Sequence, residues 1–135
     1  MAEARLFVLD VSVGVKWFKD ERGSRQARRL YLDAVAGELA LAAPVHFVHE
    51  VLSVVRREMT PAAVVESWEQ IRASGISVVP LGDEVIAEAA RQCDLLGCSF
   101  YDSLAPACAV LLDATLASAD ERAHGAFPGV VLVSE

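Results

Sequence analysis

Four acidic residues stand where simple solvation does not explain a carboxylate. Asp10 directly follows the apolar run Leu6 to Leu9, and Asp120 follows TLAS (115–118) by two residues. Glu50 has Phe47 and Val54 as its i−3 and i+4 neighbours, so on a helix it borders the buried face. Asp102 lies among aromatic and small residues in CSFYDSLAPAC (98–108). Carboxylates are rarely buried without a partner. Two of them 4 Å apart repel by about 4 kcal/mol at an effective dielectric near 20. Four together need raised pKa values or a bound cation. An all-oxygen set suits a hard ion, Mg²⁺ or Mn²⁺. Such an ion lowers the pKa of a bound water and stabilises a phosphodiester transition state. Each acid also has a plainer reading: Asp10 and Asp102 as helix caps, Glu50 as a surface helix residue, Asp120 as a turn residue.

The elements that must bring these acids together follow from periodicity and punctuation. RLFVL (5–9) reads as a short buried strand, and residues 11–18 as helical. Arg22 to Val35 carries a helical stripe of Ala27, Leu30, Tyr31, Ala34 and Val35, stopped by Gly37. Leu39 to Ala42 reads as a second strand, ended by Pro44. Val45 to Met59 reads as a helix with Phe47, Val48, Val51, Leu52 and Val55 inward. Thr60-Pro61 starts another, with Thr as N-cap and Pro in the first turn, running to about Ala73 before Gly75. ISVVP (76–80) is a strand, Asp83 to Leu95 a helix ended by Gly97, and 99–112 a further helix. TLAS (115–118) and VVLV (130–133) are the last strands. Strands alternating with helices predict an α/β three-layer sandwich with a mostly parallel central sheet. The C-terminal strand ends of such a sheet share one edge, where ligands bind. That edge is where Asp10 and Asp120 fall.

Composition bounds the function. The 135 residues, 54% hydrophobic and 23% charged, fit a single globular domain over 1–135. No run approaches the roughly 20 apolar residues of a membrane span, and no signal-peptide core precedes Asp10. Three cysteines, Cys93, Cys98 and Cys108, read as free thiols in a reducing cytoplasm. The net charge of −7 argues against a protein that coats long nucleic acid. It leaves room for an enzyme that meets nucleic acid through a metal and a few arginines, which hold phosphate bidentately.

Four segments resemble the ordered motifs of PIN domains. VLDVSVGVKWF (8–18) resembles the first, a strand ending in Asp with a hydroxyl two residues on. APVHFVHEVLSVVRR (43–57) resembles the second, a helix carrying Glu. FYDSLAPACA (100–109) resembles the third, with its Tyr-Asp pair, and ATLASADERA (114–123) the fourth. The compact size and the Lys-Trp-Phe after the first motif look most like the toxin of a VapBC-type toxin–antitoxin pair. The resemblance implies a PIN-like fold and cytoplasmic, Mg²⁺- or Mn²⁺-dependent endonucleolytic cleavage of RNA. It assigns Asp10, Glu50, Asp102 and Asp120 to catalysis and metal binding, with Ser12 and Ser118 in support. A homodimer and a cognate antitoxin are the expected partners. One departure stands out. Pro106 lies four residues after Asp102 and cannot donate a helical hydrogen bond to its carbonyl. Either the helix kinks there, or it begins near Ser103.

Several other residues invite a chemical reading. Arg22, Arg25 and Arg29 are spaced for one helical face and, with Lys16, offer an RNA or partner contact; a solvated face is the plainer reading. Trp17 either stacks on a base or belongs to the core. Trp68 reads as an interface or core residue. His46 and Glu50 have i, i+4 spacing, but no HExxH motif supports a zinc pair. Two other functions compete: a catalytically inactive PIN-like module acting only through binding, and a haloacid-dehalogenase-type phosphohydrolase. The latter needs an Asp where Ser12 stands.

Overall fold

The computed structural model describes residues 5–134. Among these residues, five strands form one sheet in the order β3-β2-β1-β4-β5, and every pairing is parallel. The strands are β1 (Arg5–Leu9), β2 (Leu39–Pro44), β3 (Ser77–Val79), β4 (Thr115–Ser118) and β5 (Val131–Leu132). Helices α1 (Val11–Val15), α2 (Ser24–Val35), α3 (Phe47–Glu58) and α4 (Pro61–Ala73) fall between β1 and β3. Helices α5 (Asp83–Leu96) and α6 (Phe100–Leu111) connect β3 to β4, and α7 (Glu121–His124) connects β4 to β5.

Strand alternation divides the core in two. Phe7, Leu9, Leu41, Ala43 and Ala117 pack on one face with Val13, Trp17, Leu30, Phe47, Val51 and Ile71, from α1 to α4 and the turn after α1. Val8, Ala42 and Leu116 pack on the other with Val85, Ala89, Leu104 and Cys108, from α5 and α6. This is the three-layer sandwich expected from the sequence. Burial on both sides explains why β1 is a continuous apolar run.

The predicted elements recur with shifted ends. Gly23 has φ 90, so α2 starts at Ser24 and Arg22 lies ahead of it, not on its face. Pro44 still pairs with Val79, which delays α3 to Phe47. Thr60 caps α4 through Oγ1, which accepts from the Ala63 N–H. Helix α6 starts at Phe100, capped by the Ser99 hydroxyl, which accepts from the Asp102 N–H, with Pro106 inside it. No helix among the described residues is long and apolar enough to cross a membrane.

Candidate active site

The chain leaves the sheet at the point where the strand order reverses, between β1 and β4. Leu9 pairs with Ala117, and the Asp10 N–H donates to the Ala117 carbonyl at 3.0 Å. Asp10 and the Ser118–Asp120 turn are therefore neighbours at the C-terminal edge, where doubly wound sheets bind ligands. Asp10 is also the N-cap of α1: its Oδ2 accepts from the Ser12 N–H at 3.1 Å and from the Ser12 hydroxyl at 2.6 Å. The same hydroxyl accepts from the Ala119 N–H at 3.0 Å, so Ser12 joins the β1 end to the β4 end. Asp120 caps α7 through Oδ1, which accepts from the Ala123 N–H at 3.0 Å. Both caps use one carboxylate oxygen. The capping role and a place at the sheet edge coexist.

Glu50 sits one turn into α3 and Asp102 in the first turn of α6. Helix α1 lies against α3 so closely that a Cβ on Gly14 would run into the Phe47 ring. Asp102 and Asp120 line a cleft of about 300 Å³ with Gly97, Cys98, Ser99, Arg122 and Ala123. Shared neighbours link the two pairs. His46 is held below its ordinary pKa by burial, while the charges of Asp10, Glu50 and Asp102 pull it back up. The Tyr101 hydroxyl is pushed up to about 12, first by desolvation and then by its hydrogen bond to Glu50 and the charges of Glu50 and Asp10. Its ring remains 47% exposed and stacks at a tilt on His46, 4.2 Å between centroids. The Cys98 thiol is raised chiefly by burial, with the charges of Asp102 and Asp120 adding to the effect.

A hard cation fits these residues by donor chemistry. None of the four acids has a basic ion-pair partner among the described residues. His46 Nδ1 is buried without a hydrogen-bond partner among the described residues, and the charges of Asp10, Glu50 and Asp102 act on its ring. Their spacing is wider than a closed cage: among the described residues, no three His, Cys, Asp or Glu side chains converge closely enough to hold a metal ion. The arrangement is an acidic cleft, and the zinc pair His46–Glu50 finds no third ligand there.

The basic candidates divide. Lys16 and Arg22 line a groove of about 400 Å³ with Ala119, Glu121 and Ser134, beside the acidic edge. The Lys16 ammonium is engaged by Glu21 at 2.9 Å and by the Arg22 carbonyl at 2.6 Å. Arg25 and Arg29 line a depression of about 730 Å³ with Asp20, Glu21 and Arg28; none of the four acids borders it. Arg122, which sequence reasoning missed, shares the acidic cleft and has no salt bridge among the described residues. Trp17 is a core residue, 7% exposed, with its indole N–H on the Ala27 carbonyl at 3.0 Å. Trp68 is 40% exposed.

Residues 7–126 match the PIN domain. The chain belongs to the PIN domain family. No curated protein sequence matches it. In structure it is similar to a toxin–antitoxin complex from Klebsiella pneumoniae, with a TM-score of 0.72 and 17% identity, over 98% of this chain and 99% of that one. It is also similar to VapC20 of Mycobacterium tuberculosis, a Sarcin-Ricin loop cleaving toxin, with a TM-score of 0.67 and 15% identity, over 92% and 98%. VapBC2 of Rickettsia felis, bound to a promoter DNA fragment, gives a TM-score of 0.68 and 15% identity, over 94% and 96%. At these identities the likeness speaks for a PIN fold spanning this chain and nearly all of each neighbour.

Proposed function

We propose that this PIN domain is a Mg²⁺- or Mn²⁺-dependent endoribonuclease, the toxin of a toxin–antitoxin pair acting in the cytoplasm. The carrying observation is four carboxylates without basic ion-pair partners among the described residues, around the sheet edge where β1 and β4 diverge. In this reading Asp10, Glu50, Asp102 and Asp120 hold the metal. When bound, the ion supplies an acidified water and offsets charge on the phosphodiester transition state. Ser12 fixes one oxygen of Asp10, leaving Oδ1 available. The Ala123 N–H fixes one oxygen of Asp120, leaving Oδ2. Tyr101, kept protonated far above neutral pH, stands near Glu50 as a donor to its carboxylate in this reading. Arg122, and less directly Arg22, meet RNA phosphate beside the acids. Arg25 and Arg29 lie away from that path and suit a protein partner.

The structural neighbours described as toxin–antitoxin complexes support a small antitoxin as that partner. Exposed Val65 and Trp68 on α4 support a homodimer contact, which light scattering at micromolar concentration tests. The wide spacing of the acids favours one competitor, a PIN-like module that only binds. Incubating the purified protein with labelled single-stranded RNA separates the two. Cleavage in Mn²⁺ or Mg²⁺ that stops in chelator supports the nuclease. Binding without cleavage in either metal overturns it.

A further inference from the structure

Pro106 lies within α6, so the Asp102 carbonyl, four residues earlier, lacks the i+4 N–H that an α-helix normally offers it. The structure supplies a replacement from another element. His124, on the short helix α7, is fully buried, and its Nε2 lies 2.6 Å from the Asp102 carbonyl oxygen. Its Nδ1 lies 2.7 Å from the Ser118 hydroxyl, also fully buried. The Asp120 N–H donates to that same hydroxyl at 3.0 Å.

The donors in this chain are determined by what each partner can do. A carbonyl only accepts, so Nε2 carries the proton. In the neutral ring Nδ1 then accepts, so Ser118 donates to it. The Ser118 oxygen is left free to accept from the Asp120 N–H. Every group is satisfied, and reversing any link leaves a buried donor or acceptor unpaired, which costs about 1–3 kcal/mol.

We propose that His124 is a positioning residue for the acidic site: its ring takes the place Pro106 leaves on the Asp102 carbonyl and ties it through Ser118 to Asp120. One buried ring thereby sets the relative aim of two carboxylates that come from different elements. Ser118, buried at the end of β4, transmits the setting. The inference rests on the metal-site reading of the proposed function. Its ligands would be a divalent cation's, and second-layer contacts of this kind tune affinity by about 10- to 100-fold.

The test uses three variants and three measurements. His124→Phe keeps a ring but removes both nitrogens. His124→Gln keeps an N–H donor able to reach the carbonyl. Pro106→Ala gives the Asp102 carbonyl a donor from its own helix. In metal-free parent protein, ¹⁵N NMR should find His124 in the Nε2–H tautomer with Nδ1 accepting; the Nδ1–H tautomer overturns the inference, whether or not any variant folds. Calorimetric titration with Mn²⁺ should show His124→Phe weakened about 10- to 100-fold. His124→Gln should stay within about threefold of parent, and adding Pro106→Ala to His124→Phe should recover about tenfold, both being the smaller effects expected when the carbonyl is again paired. A merely structural His124 would lower the melting temperature of His124→Phe yet leave its Mn²⁺ affinity at the parent value, and that result overturns the proposal. A parent that binds no Mn²⁺ instead overturns the metal reading on which the proposal rests.

Discussion

Replacing Ser12 by Ala tests how the two sheet ends are joined. The Ser12 hydroxyl donates to Asp10 Oδ2 and accepts from the Ala119 N–H, so the change removes two bonds at once. A hydrogen bond to a charged group contributes about 1.5–3 kcal/mol, and an unpaired buried N–H costs about 1–3 kcal/mol. Ser12 and Ala119 are both only partly buried, so the lower ends apply and the loss is about 2–3 kcal/mol. Asp10 keeps its bond from the Ser12 N–H, so the α1 cap survives and adds no further loss. Unfolding entropy near 2.1 cal/mol/K per residue gives about 0.28 kcal/mol per degree for this chain, so the melting temperature should fall about 7–11 °C. Scanning calorimetry reads the fall, and hydrogen exchange at the Ala119 amide reads its cause. A variant that melts with the parent and keeps Ala119 protected would refute the bridge between Asp10 and the β4 turn.

Three further outcomes follow from packing and charge. Gly14→Ala forces a Cβ onto the Phe47 ring and to 2.8 Å from Val51 Cγ2; overpacking of about 1–3 kcal/mol should outweigh the roughly 1 kcal/mol helix gain, and Phe47→Leu should partly rescue the melting temperature. Unchanged or raised stability in Gly14→Ala would mean α1 is not seated on α3. In metal-free protein, NMR titration of His46 should give a midpoint below its ordinary value of about 6.5, and Asp10→Asn should lower it further by removing a charge that raises it. A depressed folded-state value means this contribution to stability is present above the unfolded pKa and is lost as pH falls through the folded one; a midpoint above 6.5 contradicts the burial. Burial pushes the Cys108 thiol up to about 11, so at pH 8 a thiol reagent should spare it in the folded protein and modify it only after unfolding.

The sheet and its helices were legible because local signals agreed. The apolar run 5–9, the Thr60-Pro61 start and the stops at Gly37, Gly75 and Gly97 each act within a few residues. Boundaries moved where two signals competed. Gly23 at positive φ overrode the arginine spacing, and strand pairing held Pro44 in the sheet. The positions of Asp10 and Asp120 at one edge followed from strand order. The His124 contact did not. Pro106 advertised a missing donor, but its replacement lies 22 residues after Asp102, on a four-residue helix too short to show a periodicity. Arg122 was missed for the same reason, since only the β4–α7 turn brings it to the cleft. The Arg22, Arg25 and Arg29 spacing suggested one surface, and the turn at Gly23 divides it into two.

In the proposed function, four carboxylates act as one metal site for RNA cleavage. Its most direct test is the Mn²⁺ dependence of the cleavage rate for the parent and for Asp10→Asn, Glu50→Gln, Asp102→Asn and Asp120→Asn. Each substitution keeps size and removes one charge, and Asn at the two cap positions retains the cap. Saturable cleavage is expected from the parent, none in chelator, and none from any variant at Mn²⁺ concentrations that saturate the parent. Parent-like cleavage by two or more of the variants, or cleavage in chelator, would contradict it.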